Sequence, residues 1–433
     1  MLFSGISLID ENQNVRENMV VGVRGEKIAY IGDSVPRDDF GEIYDGKGRL
    51  LMSAFYNTHA HTPMTLLRGY GENLNLQDWL NTRIFPFEAQ LDGNAVYWAT
   101  LLGLAESLRF GIVSTTDMYD FCPDMVRAYA ETGAKGNISR AILCFTDEDL
   151  RDMDRFRQAE RLYGDFHNSS GGRVKIDMSL HAEYTSTPKI ARQLAEYTKE
   201  IGANMHIHVS ETQFEHEECK KRHGGKTPAA YLSEAGLFDT PATAAHCVWL
   251  EEGDIAVFRE KGVTVASCPV SNLKLSSGVC NVPKLKAAGV NVTIGTDGAA
   301  SNNSLNFIEE MKFFSLLHKG IFNEPAASSP RDTLYAATRA GALSQGRGDC
   351  GLLREGFAAD LIVLDVTKPN MNPAHDLVNN VVYSACGGDV LLTMADGRVL
   401  YENGEYKTID IEKVTAEAAK ATGVILDALS KGG

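Results

Sequence analysis

From about residue 50 to residue 300 the chain repeats one pattern, a short apolar run followed by a longer amphipathic stretch. Eight such runs lie near residues 51–58, 111–117, 138–145, 174–181, 204–209, 243–247, 263–268 and 290–296. The stretches between them, such as Ala95–Arg109, Pro188–Ile201 and Thr227–Ala235, have helical spacing of their apolar residues. Strands alternating with helices build a parallel sheet with helices outside it. Eight such units in roughly 300 residues is the count of a closed (β/α)8 TIM-type barrel, an α/β fold. The alternative is a doubly wound open sheet, but no GxGxxG follows an early strand, as a dinucleotide-binding fold would show.

The chain ends have a different texture. Met19–Val23, then Arg24–Lys27, then Ile28–Gly32 read as a hairpin, and Asp45–Gly48 as a further turn. Beyond residue 350, β patterns return at Ala359–Leu364, Val390–Met394 and Gly397–Tyr401. We therefore expect residues 1–52 and 349–433 to meet in one small β-sandwich beside a barrel at 53–348, with a helix over Ile411–Leu429.

Composition excludes some partners. A formal net charge of −15 over 433 residues argues against a nucleic acid polymer, though not against a single nucleoside. No apolar run approaches the roughly 18 residues of a membrane span. The N-terminus lacks a basic segment followed by an apolar core, so no signal peptide is expected. The eight cysteines include no CxxC pair and read as reduced thiols. The expectation is a cytoplasmic protein with no membrane partner; a homo-oligomer is the common default.

In a barrel of this kind, reactive groups gather at the carboxyl ends of the strands. Four candidate strands end in metal-ligand types. Asn57-Thr58-His59-Ala60-His61 closes the first, and i, i+2 spacing aims His59 and His61 to one side. The fifth ends in His208 with Glu211 three residues on, the sixth in His246 and the eighth in Asp297. One strand-end histidine is usually a hydrogen-bonded core or surface residue, and a strand-end aspartate is often a helix cap. Coincidence across four strands of one rim is harder to sustain, and this nitrogen and oxygen set suits zinc or ferrous iron. His206, one layer deeper than His208, reads as a packed core residue. His167, His216, His223, His318 and His375 read as bystanders.

The set His59-x-His61, His208-x-x-Glu211, His246 and Thr296-Asp297-Gly298 resembles the amidohydrolase superfamily. Pro269–Leu275, Gly295–Asn303, Thr65–Gly69 and Asp78-Trp79-Leu80 resemble its branch of 5′-methylthioadenosine/S-adenosylhomocysteine deaminases. One departure is Ser53-Ala54, where that family commonly has Pro-Gly.

The resemblance implies one divalent metal ion, zinc before iron, on His59, His61, His208 and Asp297. It has no lysine at the fourth strand end to bridge a second ion; His181 stands there. It implies Glu211 as proton shuttle, Asp297 as acceptor of the water's proton and His246 as the residue orienting the attacking oxygen. Around the substrate it implies Trp79 as a wall, Glu88 as acceptor for ribose hydroxyls and His181 near the ribose. It also places Arg140 on a strand-three arginine and Arg155 on one that pairs with an amino-acid carboxylate. The implied reaction turns a 6-aminopurine nucleoside and water into the 6-oxo product and ammonia. Guanine, a pterin or an s-triazine are alternative substrates, and a non-enzymatic barrel scaffold is a third reading.

Overall fold

The computed structural model describes residues 1–146 and 148–431. Its centre is a ring of eight parallel strands: Phe55–Ala60, Ile112–Tyr119, Lys135–Ile142, Met178–Leu180, Met205–Val209, Ala242–His246, Thr264–Ser267 and Val292–Ile294. Each pairs with its neighbours in sequence order. The eighth returns to the first: Thr58 Oγ1 donates to the Ile294 carbonyl at 3.0 Å. Just beyond it, the Asp297 N–H donates to the His59 carbonyl at 3.0 Å. The first, second and sixth strands are buried along their whole length, because helices cover one face and interior side chains fill the other.

The helices begin and end where local chemistry dictates. Pro188–Ile201 starts with Thr187 accepting from the Ile190 N–H, has proline in its first turn and stops at Gly202 with φ +66°. Its apolar stripe, Ile190, Ala191, Leu194 and Ala195, is buried against the barrel.

The chain ends join in a single nine-stranded mixed sheet. Its seam is the antiparallel pairing of Arg49–Ser53, from the front of the chain, with Leu361–Asp365 from the back. Alternation divides its faces. Leu51, Leu361 and Val363 join Phe3, Val21 and Leu392 in a separate core, whereas Leu50, Met52, Ile362 and Leu364 face the core shared with the barrel. The terminal helix, Ile411–Lys431, packs on Gly93–Arg109 outside the barrel.

Two sequence expectations need correction. The run at 51–58 is two strands in two sheets, Arg49–Ser53 and Phe55–Ala60. The switch falls at Ala54, whose N–H donates to the Asp360 carbonyl while the next N–H, on Phe55, donates to the Gly111 carbonyl. The run at 174–181 is also broken: Val174–Ile176 pairs with the third barrel strand, and Met178–Leu180 continues the ring. Among the described residues no helix is long and apolar enough to cross a membrane.

Candidate active site

The four strand ends converge at the carboxyl-terminal mouth. His61 Nε2 lies 3.3 Å from His208 Nε2 and 3.3 Å from Asp297 Oδ1. His59 Nε2 lies 3.5 Å from the same oxygen. A tetrahedral ion with bonds of about 2.1 Å holds its ligand atoms about 3.4 Å apart. His246 sits beside this group, its ligand-type atoms within 4.8 Å of those of His59 and Asp297.

Hydrogen bonds fix which ring nitrogen faces inward. His61 Nδ1 donates to the Met118 carbonyl at 2.6 Å, and His208 Nδ1 donates to the His181 carbonyl at 2.6 Å. A carbonyl only accepts, so each Nδ1 carries a proton and each Nε2 is the atom turned inward. The two Nε2 atoms facing each other at 3.3 Å are spaced to share a cation. His59 Nε2 is buried with no hydrogen-bond partner among the described residues. Asp297 Oδ2 accepts from Ser271 at 2.5 Å and Ser301 at 2.6 Å, which leaves Oδ1 turned to the imidazoles. This donor set fits a divalent metal ion, with anchored rings of the kind metal sites require.

Burial holds His59 down to about 3 and His208 well below the usual imidazole range, so both rings are neutral. Burial alone would raise Asp297, but the surrounding imidazoles outweigh it and hold the carboxyl well below its ordinary value. Burial would lower His246; the Glu211 and Asp297 carboxylates opposite outweigh that and raise it. Burial raises Glu211, whose Oε2 lies 3.8 Å from His246 Nε2.

The local backbone is strained where the side chains are aimed. Ser210, His246 and Asp297 have φ of +48°, +68° and +60°. A non-glycine residue there costs about 1–3 kcal/mol, tolerated when the surroundings impose it. Close packing favours glycine beside them. A Cβ on Gly295 would lie 2.8 Å from His59 Cβ, and one on Gly298 would lie 2.6 Å from Met64 Sδ.

This cluster of imidazoles and Asp297 forms one wall of a cavity of about 340 Å³. Trp79, Glu88, Arg155 and His181 also line it, together with apolar side chains such as Leu80 and Ile84. Burial pushes Glu88 up to about 7, against the pull of Tyr119 and Arg155, and takes His181 down to about 3. Arg140, expected at the substrate, instead lines a neighbouring cavity, with Nε donating to Gln158 at 3.2 Å. Asp120 stands between the two spaces and lines both.

Several supporting residues were not read from the sequence. His206 is fully buried, as a core histidine should be, but its Nε2 also meets His59 Nδ1 at 2.8 Å and so holds that ring in place. Asn272 Oδ1 is 2.8 Å from His246 Nδ1. Glu215 accepts from the Ser210 and Glu211 N–H groups at 2.9 and 2.7 Å, fixing the loop that carries Glu211. Asp117 accepts from the Thr62 N–H at 2.9 Å and the Tyr129 hydroxyl at 2.9 Å, anchoring the turn after His61. Its signal was a carboxylate inside an otherwise uncharged, fully buried strand. Ser271, Asn272 and Ser301 lay inside segments already noted as family-like.

A barrel whose mouth gathers imidazoles, a carboxylate and a buried acid beside a cavity has the make-up of a metal-dependent hydrolase. The model of the amidohydrolase family matches residues 50–400, and the chain belongs to that family. It is 39% identical over 413 residues to a 5-methylthioadenosine/S-adenosylhomocysteine deaminase of Dictyoglomus thermophilum, covering 95% of this chain and 96% of the relative. It is 38% identical over 408 residues to a 5′-deoxyadenosine deaminase of Methanosarcina mazei, covering 94% and 93%. Among solved structures, an adenosine deaminase from Xanthomonas campestris with bound zinc superposes with a TM-score of 0.93 at 29% identity, covering 98% of each chain.

Proposed function

We propose that the protein hydrolytically deaminates a 6-aminopurine nucleoside of the 5′-methylthioadenosine or S-adenosylhomocysteine type, releasing ammonia. The named activities of the relatives support this substrate class. The observation that carries the chemistry is Glu211, a buried carboxyl held toward its protonated form at the edge of the metal-ligand group.

We assign the metal-ligand role to His59, His61, His208 and Asp297 and propose a single zinc ion. A divalent ion held there would lower the pKa of water to about 7 and so would supply hydroxide at neutral pH. Glu211 gives its proton to the ring nitrogen next to the attacked carbon, which makes that carbon electrophilic. Addition of hydroxide breaks the ring's aromaticity and gives a tetrahedral centre. His246, its Nδ1 tied to Asn272, turns Nε2 toward the incoming oxygen and stabilises its charge. Asp297 accepts the proton of the attacking oxygen, and Glu211 helps carry one to the amine, which then departs as ammonia. The apolar wall, with Trp79 and Leu80, keeps bulk water from the base. Glu88 accepts from the ribose hydroxyls.

The test is metal analysis of the purified protein together with ammonia release from 5′-methylthioadenosine, S-adenosylhomocysteine, 5′-deoxyadenosine, adenosine and guanine. The reading requires turnover of at least one adenosine derivative. Turnover of guanine alone would refute it.

A further inference from the structure

We infer that Tyr119 is the positioning residue for Glu88: with a nucleoside bound, its hydroxyl closes on the Glu88 carboxylate and holds it as the acceptor for the ribose hydroxyls. This rests on the nucleoside reading above.

Tyr119 ends the second barrel strand, Ile112–Tyr119, and lines the catalytic cavity together with Glu88. Its place is fixed. The carbonyl before it, on Met118, accepts from His61 Nδ1 at 2.6 Å, and the Tyr119 ring centre lies 6.5 Å from that of His61. The residue is 7% exposed, and its hydroxyl is enclosed with no hydrogen-bond partner among the described residues. A buried hydroxyl left without a partner is costly, and a site that keeps one calls for a reason.

Two carboxylates act on this hydroxyl, Glu88 first and Asp117 after it. Asp117 is already committed, accepting from the Thr62 N–H and the Tyr129 hydroxyl. Glu88 remains as the acceptor. The hydroxyl pulls Glu88 down as a donor does, yet the contact falls short of a made hydrogen bond. Contacts of this kind are often long in free enzymes and tighten when substrate binds. Burial, and after it Glu88, raises the phenol well above its usual range, so the hydroxyl keeps its proton and donates. Being enclosed, it reaches the ribose through Glu88 and not directly. A phenol donating to the carboxylate favours the ionised form and fixes its orientation. Beyond the imidazole cluster and Asp297, the other titratable groups on this cavity are Arg155, Asp120, His181, Tyr184 and Glu211. Of these, Arg155 acts on Glu88 and favours the ionised form, as Tyr119 does.

The experiment measures kcat, KM and their pH dependence in zinc-loaded wild type, Tyr119→Phe, Glu88→Gln and the double variant, on the adenosine derivative that wild type turns over fastest. Tyr119→Phe should raise KM about tenfold at neutral pH, the order of one hydrogen bond to a charged group, with kcat and zinc content near wild type. The fall in KM with rising pH, centred near the Glu88 value of about 7 in wild type, should move to higher pH in Tyr119→Phe. Removing a donor to a carboxylate raises its pKa. In the Glu88→Gln background the same change should add less than about twofold, because the two side chains act as one unit. Calorimetric affinity for the inosine-type product should fall in parallel with the rise in KM, which separates binding from turnover. The proposal is overturned if Tyr119→Phe leaves KM and its pH dependence unchanged. It is equally overturned if the variant loses kcat or zinc instead, which would tie Tyr119 to the His61 cluster, or if the loss is as large in the Glu88→Gln background. Absence of turnover of every adenosine derivative by wild type would overturn the nucleoside reading itself, and this proposal with it.

Discussion

At the amino-terminal end of the barrel, the Lys135 ammonium is buried 2.6 Å from Asp360 Oδ2 and 2.6 Å from Asp396 Oδ1. Asp360 also accepts from the Tyr56 hydroxyl and, at 2.8 Å, from the Asp396 N–H. At the carboxyl-terminal end, His59 Nε2 has no hydrogen-bond partner among the described residues, and the Nε2 atoms of His61 and His208 face each other. Both ends bury ionisable groups that are costly to desolvate. At the lower end each charge is answered by another protein group, and the network ties the end-built sheet to the barrel. At the upper end the protein satisfies the outward-facing atoms of each side chain and leaves the inward-facing ones open. Complete satisfaction identifies a structural cluster; selective incompleteness, with every ring anchored from behind, identifies a binding site. The same division is general to these barrels, where the lower face serves stability and the upper face chemistry.

Breaking the upper end should have the largest effect on function. Asp297→Ala is expected to abolish turnover and lower bound metal, read by elemental analysis, with a circular dichroism spectrum like wild type. Glu211→Gln should keep the metal and lose about 10²–10⁴ in kcat, the range for general acid–base catalysis; near-normal rates would show that the proton shuttle is misassigned.

Breaking the lower end should do the reverse. Lys135→Met leaves the buried Asp360 carboxylate without its cation and should cost about 3–5 kcal/mol of stability, read by denaturant unfolding, while folded protein keeps its metal stoichiometry. Here burial alone would raise Asp360, but Lys135 outweighs it and depresses the carboxyl. A depressed carboxyl stabilises the fold above the unfolded value of about 3.9, and that contribution is lost as pH falls through the folded value. The acid-side loss attributable to Asp360 should therefore be smaller in Lys135→Met than in wild type.

A smaller effect sharpens the comparison at the upper end. His206 supports a ligand ring from behind, so His206→Phe should weaken metal affinity about 10–100-fold without removing a ligand. The smallest concerns pH. Glu88 is held up at about 7 by burial, and its ionised form is the better acceptor for ribose hydroxyls. KM for the nucleoside should fall as pH rises through 7, and Glu88→Gln should flatten that dependence.

The two ends also differ in how far the sequence discloses them. His59, His61, His208 and Asp297 close recognisable strands, and period-two spacing alone says which way the histidine pair points. Lys135 and Asp360 are 225 residues apart, and neither stands in a pattern that marks it. Their meeting depends on the end-built sheet docking under the barrel, which local periodicity does not encode. The same docking explains the misread run at 51–58, where an unbroken apolar stretch hides a change of sheet at Ala54. Arg140 illustrates a third case. Its strand was correctly placed at the mouth, but its guanidinium lines the neighbouring cavity, where Nε donates to Gln158. A competing partner of that kind leaves no trace in strand spacing.

The most direct test of the open upper end is an anomalous difference map at the zinc edge from crystals of the metal-loaded protein. The account predicts one strong peak within about 2.0–2.2 Å of His59 Nε2, His61 Nε2, His208 Nε2 and an Asp297 oxygen. A peak instead at Glu183, Cys219 and His223, the other grouping of ligand-type atoms among the described residues, or no peak between the imidazoles, would contradict it.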